Sequence, residues 1–237
     1  MKRLAIMQPY FLPYIGYFQL MTAVDKFVVL DDVNYINRGW INRNHLLVNG
    51  TVHTFTVPLR GASQNRLICE IELDDAQAWR EKLLRTIRHA YRKAPCYAEV
   101  SALVERLINY PSSRLDAFLL HSIREIARYL SLDVEIVDSS RIYDNAQLKG
   151  QDRILDICRR ERASVYVNAI GGMKLYDSSR FSERLVSLRF LRPRPIMYAQ
   201  GHDTHVPWLS ILDVLMFNEV SAVKKLLHEN ELVSSDQ

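Results

Sequence analysis

The apolar and polar positions near the start of the chain predict a strand, a turn, a helix and a second strand. The apolar run at residues 4–7 is typical of a buried strand. Two prolines in the QPYFLP segment that follows exclude helix there, because proline fixes its own φ and restricts the residue before it. Helical periodicity begins at Gly16, and the β-branched run at residues 26–30 predicts the second strand. This order within about thirty residues is the size of a βαβ unit.

Further along the chain the pattern predicts a hairpin, three consecutive helices and a return to strands. Asn49-Gly50 is a strong hairpin-turn signal. Apolar residues at spacings of three and four predict a mainly helical insertion at about residues 75–130. Strands are also expected at residues 67–73, 132–137, 165–167 and 184–191, and helices at 151–162, from 173 onward, and at 209–217. This order favours a single α/β domain of residues 1–237 with a Rossmann-like, mostly parallel sheet and helices on both faces.

Composition and charge narrow the class of protein. The 237 residues are 48% hydrophobic and 24% charged, which is typical of a globular chain. The net charge of +4 is small and scattered, so we expect no nucleic-acid partner, although a phosphate-bearing ligand is compatible with it. Three widely separated cysteines favour free thiols in a reducing cytoplasm. No apolar run approaches the roughly 18 residues that cross a bilayer, so we expect no membrane insertion and a cytoplasmic location.

Polar side chains follow both strands of the first unit. Gln8 and Tyr10 come after the first strand, and Asp31 and Asp32 come after the second. Ligands of such units bind at the carboxyl ends of the strands, so we expect the site at this edge. Neighbouring strand residues point to opposite faces, so one of the two acids enters the pocket, and burial raises the pKa of that acid. Asp32 is our candidate base from this pair.

The loop after the second strand combines arginines with an aromatic ring. Trp40 lies between Arg38 and Arg43, and aromatic rings beside guanidinium groups make good platforms for ligands. The alternative is a network without a ligand, in which Asp31 and Asp32 cap a turn and pair with these arginines while Trp40 closes an edge of the core.

A loop near the C-terminus contains His202 and His205. The near-neutral intrinsic pKa of histidine makes His205 a candidate general base. No carboxylate pattern accompanies the two histidines, so we expect no metal. The motifs GxGxxG, Walker A and GxSxG are absent, and the sequence identifies no cofactor.

Four blocks in order span nearly the whole chain: QPYFLPYIGYFQLMTAVDKFVVLDDVNYINRGWINRN, KGQDRILDIC, YVNAIGGMKLYD and YAQGHDTHVPWLSILDVLMFN. In these blocks the chain resembles the WbqC-like protein family. Members occur in bacterial gene clusters for O-antigen, the lipopolysaccharide side chain, and for other surface polysaccharides, and some are described as glycine transferases. The resemblance implies an aminoacyl (glycine) or acyl transferase that acts on a nucleotide-linked amino sugar and takes its group from an aminoacyl or acyl donor or a carrier protein.

Such a reaction assigns roles to the candidate residues. The acceptor amine needs a base, and Asp32 and His205 are the candidates. The tetrahedral oxyanion needs hydrogen-bond donors, and the diphosphate of the sugar nucleotide needs cationic side chains. The expected substrate-binding residues are Asn42, Asn168, Gly171 and Gly172 as oxyanion donors, Arg38, Arg43, Lys149 and Arg153 as cations, Tyr14 and Trp40 as stacking rings, Gln8 and Gln200 for sugar hydroxyls, and Tyr10, Tyr17, Asp31 and Tyr198 as further contacts.

Two alternatives belong to other classes of function. One is a non-catalytic module that binds a nucleotide sugar or a carrier protein and assists a neighbouring enzyme. The other rests on a looser similarity to nucleotidylyltransferases with an HxGH motif, which corresponds here to Tyr14-Ile15-Gly16-Tyr17. Tyrosines replace both imidazoles of that motif, which weighs against its phosphate chemistry.

Overall fold

The computed structural model describes residues 1–202 and 204–234. The strands are β1 (Arg3–Met7), β2 (Lys26–Val29), β3 (Arg43–Val48), β4 (Thr51–Thr56), β5 (Leu59–Arg60), β6 (Glu72–Leu73), β7 (Glu135–Val137), β8 (Val165–Ala169), β9 (Ser187–Pro193) and β10 (Asn230–Val233). The helices are α1 (Ile15–Thr22), α2 (Trp79–Tyr91), α3 (Tyr97–Ile108), α4 (Leu115–Tyr129), α5 (Gly150–Arg160), α6 (Ser178–Ser182), α7 (Ile211–Phe217) and α8 (Val220–Leu227).

The central sheet has the strand order β10-β9-β8-β1-β2-β7. All neighbouring pairs are parallel except β10 with β9. From β1 the chain winds outward to β2 and β7 on one side and then to β8 and β9 on the other. The winding direction therefore reverses between β1 and β8, and ligands of such sheets bind near the carboxyl ends at that point. The predicted α/β fold with a mostly parallel, Rossmann-like sheet is confirmed.

Helices cover both faces of the sheet. Ala5 of β1 belongs to the larger apolar cluster, which includes residues of α1 and α7. Its neighbours Leu4 and Ile6 belong to a second cluster with residues of α5. Successive strand residues thus face different layers, and both layers exclude water from the sheet.

The segment between β2 and β7 carries the hairpin β3–β4 and the helices α2, α3 and α4. At the hairpin turn Asn49 and Gly50 both have positive φ, +50° and +73°, as the favoured two-residue turn requires. The β3 strand packs against α2 and α7, so the hairpin connects the inserted helices to the C-terminal part of the chain.

A partly buried ion-pair cluster connects segments at the amino end of the sheet. Glu161, just after α5, lies 2.8 Å from Lys26 of β2 and 2.9 Å from Lys2. The Tyr143 hydroxyl donates to the same carboxylate at 2.7 Å. Burial acts to raise the pKa of Glu161, but these three donors together lower it to about 2.

Several predicted elements differ from the structure. Residues 67–73 form a short 3₁₀ helix, Ile68–Glu70, and the two-residue β6, because the Glu70 carboxylate accepts from the backbone N–H of Leu67 at 2.9 Å and tightens the turn. The helix expected from residue 173 is a 3₁₀ helix over Ile170–Leu175, and α6 begins only where Asp177 caps it. The helix expected at residues 209–217 begins two residues later, at Ile211, and this α7 helix is buried on nearly every side.

In the part of the chain that the structure describes, no helix has the length and apolar character needed to cross a bilayer.

Candidate functional site

A cleft of about 680 Å³ opens at the carboxyl edge of the sheet, between α1 and the segment after β9. Its volume is that of a typical small-molecule site. The lining residues are Tyr14, Ile15, Gly16, Gln19, Pro193, Arg194, Pro195, Ile196, Met197, Tyr198, Thr204, His205, Pro207, Trp208, Leu209 and Val214. Three of the predicted site residues are therefore brought together: Tyr14, Tyr198 and His205.

The turn before α1 is held in a strained conformation. Leu12 is fully buried and has a φ of +47°, which a branched side chain adopts only when its surroundings enforce it. The side chains of Asn44 and Ser210 both donate to the Leu12 carbonyl at 2.8 Å. Residues from β3 and from the start of α7 thus fix the turn that places Tyr14 at the cleft.

Two aromatic rings form the rim of the cleft. The Tyr14 ring folds over the first turn of α1, and a Cβ at Gly16 would lie only 2.2 Å from it. The Trp208 ring lies 5.8 Å from that of Tyr14, centroid to centroid. Trp208 is 67% exposed and has a φ of +63°. A strained backbone that presents an exposed tryptophan to a cavity is a feature of ligand sites.

His205 is half-buried in the cleft wall. Its Nδ1 lies 3.3 Å from the backbone carbonyl oxygen of Tyr198, and its ring packs edge-on against the Tyr198 ring at 5.1 Å. Because a carbonyl only accepts, the neutral ring that makes this contact carries its proton on Nδ1 and leaves the lone pair on Nε2. This is the tautomer that a general base needs.

A buried carboxylate, that of Asp213, supports the part of the cleft wall that contains His205. Asp213 of α7 accepts from the Tyr91 hydroxyl at 2.9 Å, from the Tyr198 hydroxyl at 2.7 Å and from Gln200 Nε2 at 2.8 Å. Gln200 also accepts from the backbone N–H of Val206 at 2.7 Å. Burial raises the pKa of Asp213, and the three donors oppose that effect. The Asp213 carboxylate thereby joins the segment that carries Tyr198, Gln200 and His205, called the cleft loop below, to α7 and α2.

The two acids after β2 lie in a separate buried network. Asp32 makes a two-pronged ion pair with Arg153, with both of its oxygens 2.6 Å from Nη2. Asp31 accepts from Ser139 at 2.7 Å and pairs with Arg141 at 3.1 Å. Burial raises the pKa of Asp31 despite these donors. Both carboxylates are thus engaged by donors from the chain itself, from Arg141 and Arg153.

The arginine-rich loop lies on the surface, and none of its residues lines the cleft. The Arg43 guanidinium lies 5.6 Å from the centre of the Trp40 ring and donates to the backbone carbonyls of Gly39 and Arg38. Asn42 is buried, where it accepts from the Tyr35 hydroxyl at 2.8 Å and donates to the Val57 carbonyl at 2.7 Å.

The remaining predicted residues at the ends of β1 and β8 take part in local packing. Tyr17 is buried, and its hydroxyl donates to the Gln8 carbonyl at 3.1 Å. The half-buried Tyr10 ring lies 5.8 Å from that of Tyr17. Asn168 donates to the hydroxyls of Tyr166 and Tyr176.

The last predicted residues lie on the surface or beside Asn168. A Cβ at Gly172 would come within 3.1 Å of the Asn168 side-chain oxygen. Gly171 is exposed, and neither glycine has positive φ. Lys149 is exposed just before α5. Within residues 1–202 and 204–234, no three His, Cys, Asp or Glu side chains cluster as a metal site would require.

The sequence patterns did not predict several residues that line or support the cleft, among them Gln19, Arg194, Trp208 and Asp213. Two of them carried a usable signal. Asp213 is a charged residue within the apolar run LSILDVLMF, and Gln19 is a polar residue at the centre of an apolar helix. A polar group in such a position is buried, and buried polar groups need partners.

Comparison with known proteins places the chain among its relatives. It is 26% identical over 221 residues to the uncharacterized protein Rv1507c of Mycobacterium tuberculosis (strain ATCC 25618 / H37Rv), an alignment that covers 92% of this chain and 94% of that protein. No solved structure matches the chain. The model of the WbqC-like protein family matches residues 8–225. The chain therefore belongs to the WbqC-like protein family.

Proposed function

We propose that the chain is a transferase that moves an acyl or aminoacyl group, such as glycyl, onto the amine of a nucleotide-linked amino sugar. The reaction would serve the assembly of a bacterial O-antigen or another surface polysaccharide. The proposed site is the cleft between α1 and the segment after β9, and the observation that carries the proposal is His205 in its wall.

The acceptor amine attacks a carbonyl carbon and must lose a proton to do so. In the proposal His205 Nε2 accepts that proton, while the carbonyl of Tyr198 holds Nδ1–H in place. The hydroxyl of Tyr14 is a suitable donor for the tetrahedral oxyanion, because a tyrosine hydroxyl is protonated at neutral pH, and burial raises its pKa further. The rings of Tyr14 and Trp208 offer apolar faces on which a sugar can rest.

The proposal gives Asp32 a structural role instead of a catalytic one. A base must present a free lone pair to the substrate, and the Asp32 carboxylate is committed to Arg153 and to the Ser140 hydroxyl. Tyr17 is likewise left out of the site, because its hydroxyl is used by the Gln8 carbonyl. The HxGH-type nucleotidylyl transfer loses support for the same reason, since one of its two phosphate contacts would come from Tyr17.

A second candidate function is a non-catalytic module that binds a nucleotide sugar. The engagement of both acids after β2 by arginines favours it, because the candidate base Asp32 and its neighbour Asp31 are already held by partners within the chain. The two functions differ in their dependence on His205.

The test is a transfer assay with purified protein, nucleotide-linked amino sugars and activated acyl or glycyl donors, read by mass spectrometry of the sugar product. We expect His205→Gln to reduce the rate by at least about 10²-fold, the usual contribution of a general base, with little change in sugar affinity. His202→Gln is the matched control, because His202 is exposed and does not line the cleft. Sugar binding without product, equal in both variants and the parent, would contradict the transferase and support the binding module.

A further inference from the structure

The cleft walls are mainly apolar, which is unusual for a site that holds only a sugar. Isoleucine, leucine, valine, methionine, proline and tryptophan side chains supply most of the lining. Met197 and Trp208 remain 71% and 67% exposed at its edge. Exposed apolar side chains around a cavity mark a surface that an apolar ligand covers.

One cation stands among these apolar side chains. Arg194 follows β9 directly, and its backbone N–H donates to the Glu229 carbonyl at 3.0 Å, which anchors it to the end of the sheet. No carboxylate among the described residues pairs with its guanidinium within 4 Å, whereas many of the chain's other arginines have such partners. A guanidinium that no carboxylate of the described residues pairs with, at the edge of a cleft, suits a phosphate.

A buried acceptor without a partner among the described residues belongs to the lining of the cleft. Gln19 is fully buried and lines the cleft. Its Nε2 donates to the carbonyls of Leu226 and Glu229 at 2.9 and 3.1 Å, and these two contacts fix the orientation of the amide. Its Oε1 accepts no hydrogen bond from the described residues. Buried oxygens are normally satisfied, so this atom indicates a missing N–H or O–H donor.

These three observations fit one ligand chemistry. We propose that the cleft binds the phosphopantetheine arm of an acyl thioester, as carried by coenzyme A or by a carrier protein. The arm alternates apolar segments with amide N–H groups and ends in a phosphate. In this assignment the apolar walls cover the arm and the acyl chain, Gln19 accepts from an amide N–H, and Arg194 binds the phosphate. A polyprenyl phosphate would use the walls and Arg194 but would leave Gln19 without a donor.

The inference rests on the proposed function and specifies its donor. The amine nitrogen of the sugar attacks the thioester carbon, and His205 takes the amine proton. The attack forms the C–N bond of the tetrahedral intermediate, and collapse of this intermediate re-forms the C=O bond and breaks the C–S bond. The leaving thiolate takes the proton from His205, so the products are the N-acylated sugar and the free pantetheine thiol, with no other reactant.

Binding of three probes by isothermal titration tests the inference. Octanoyl-phosphopantetheine carries all the proposed groups, octanoyl-pantetheine lacks the phosphate, and farnesyl phosphate lacks the amides. We expect the first to bind most tightly. Arg194→Gln should weaken it about tenfold, the effect of losing one charge-assisted hydrogen bond, and should leave octanoyl-pantetheine unchanged. Arg189→Gln is the matched control, because Arg189 is an exposed arginine of β9, five residues before Arg194, and does not line the cleft.

The results separate the inference from the proposed function. Absence of octanoyl-phosphopantetheine binding, tighter binding of farnesyl phosphate, or no effect of Arg194→Gln overturns the inference. If transfer from another activated donor still depends on His205, the proposed function survives that failure. If octanoyl-phosphopantetheine binds through Arg194 but no amino sugar is acylated, the inference holds and the proposed function fails. Parallel assays with octanoyl-coenzyme A and an octanoyl-loaded carrier protein identify the source of the arm.

Discussion

The strained backbone of Trp208 makes an unusual stability prediction. Its φ of +63° lies in the left-handed region, which only glycine occupies without steric cost. We therefore expect Trp208→Gly to unfold at higher denaturant concentration than Trp208→Ala. At ordinary positions the order is the reverse, because glycine loses more backbone entropy on folding.

The magnitude follows from two opposing terms. A non-glycine residue in the left-handed region costs about 1–2 kcal/mol, whereas the additional backbone entropy of glycine costs about 0.5–1 kcal/mol. The difference favours glycine by about 0.5–1 kcal/mol. The side chain contributes nothing to this comparison, because both variants remove the ring. For a chain of this size the difference corresponds to roughly 1–4 °C in melting temperature.

Urea unfolding and thermal melts of both variants and the parent measure this difference. The denaturant dependence should be the same in the two variants, so that the midpoints report stability alone. Both variants should lose affinity for any ligand of the cleft to the same extent, because both lack the ring. Equal midpoints, or an alanine variant more stable than the glycine variant, would refute the claim that the protein holds this tryptophan under strain.

Three further predictions concern buried charges, each measured by urea unfolding. Asp213→Asn should lower the free energy of unfolding by about 1.5–3 kcal/mol, because an amide nitrogen replaces one of the carboxylate oxygens that accept from the three donors. An unchanged free energy of unfolding would contradict the role of Asp213 as the charged acceptor of these donors. Glu161→Gln should lower the free energy of unfolding by about 2 kcal/mol at pH 7. The pKa of Glu161 is lower in the folded state than in the unfolded state, so its contribution to stability is fully present above about pH 4.5. The difference in stability between parent and variant should therefore shrink as the pH falls toward about 2. Asp32→Asn should lower the free energy of unfolding by about 3–5 kcal/mol, because it leaves Arg153 charged and without its ion-pair partner. The double variant Asp32→Asn/Arg153→Met should recover much of that loss. A double variant no more stable than Asp32→Asn would argue against the ion pair.

Local sequence signals predicted most of the fold. The βαβ unit, the hairpin at Asn49-Gly50 and the three inserted helices depend on periodicity and turn chemistry within a few residues. The misplaced elements at residues 67–73 and after residue 173 are set by local contacts of Glu70 and Asp177, whereas the β10 strand, which was missed, depends on a partner far along the chain. The β10 strand is short, and it is ordered by antiparallel pairing with β9, whose register sets Val233 against Phe190. The residues near position 230 carry no local sequence signal that predicts this pairing.

The candidate site was less predictable for the same reason. The rule that ligands bind at strand ends pointed to the edge of the sheet where the cleft opens, but it could not tell a free carboxylate from an engaged one. Asp32 finds its partner at Arg153, 121 residues away. His205 was proposed because a loop histidine is informative by its chemistry alone, and it lines the cleft, whereas Arg194 is one of many arginines until the structure places it at the cleft.

Asp213 shows how a buried charge can be anticipated from sequence. A carboxylate inside an apolar helix is costly unless several donors reach it, so its presence in LSILDVLMF implies that other segments supply those donors. The three donors here come from α2 and from two positions of the cleft loop. A segment without secondary structure is thereby tied to a rigid helix, and the loop can present His205 and Trp208 at fixed positions. A site on a loop needs such an attachment, because preorganisation of catalytic groups depends on the rigidity of what holds them.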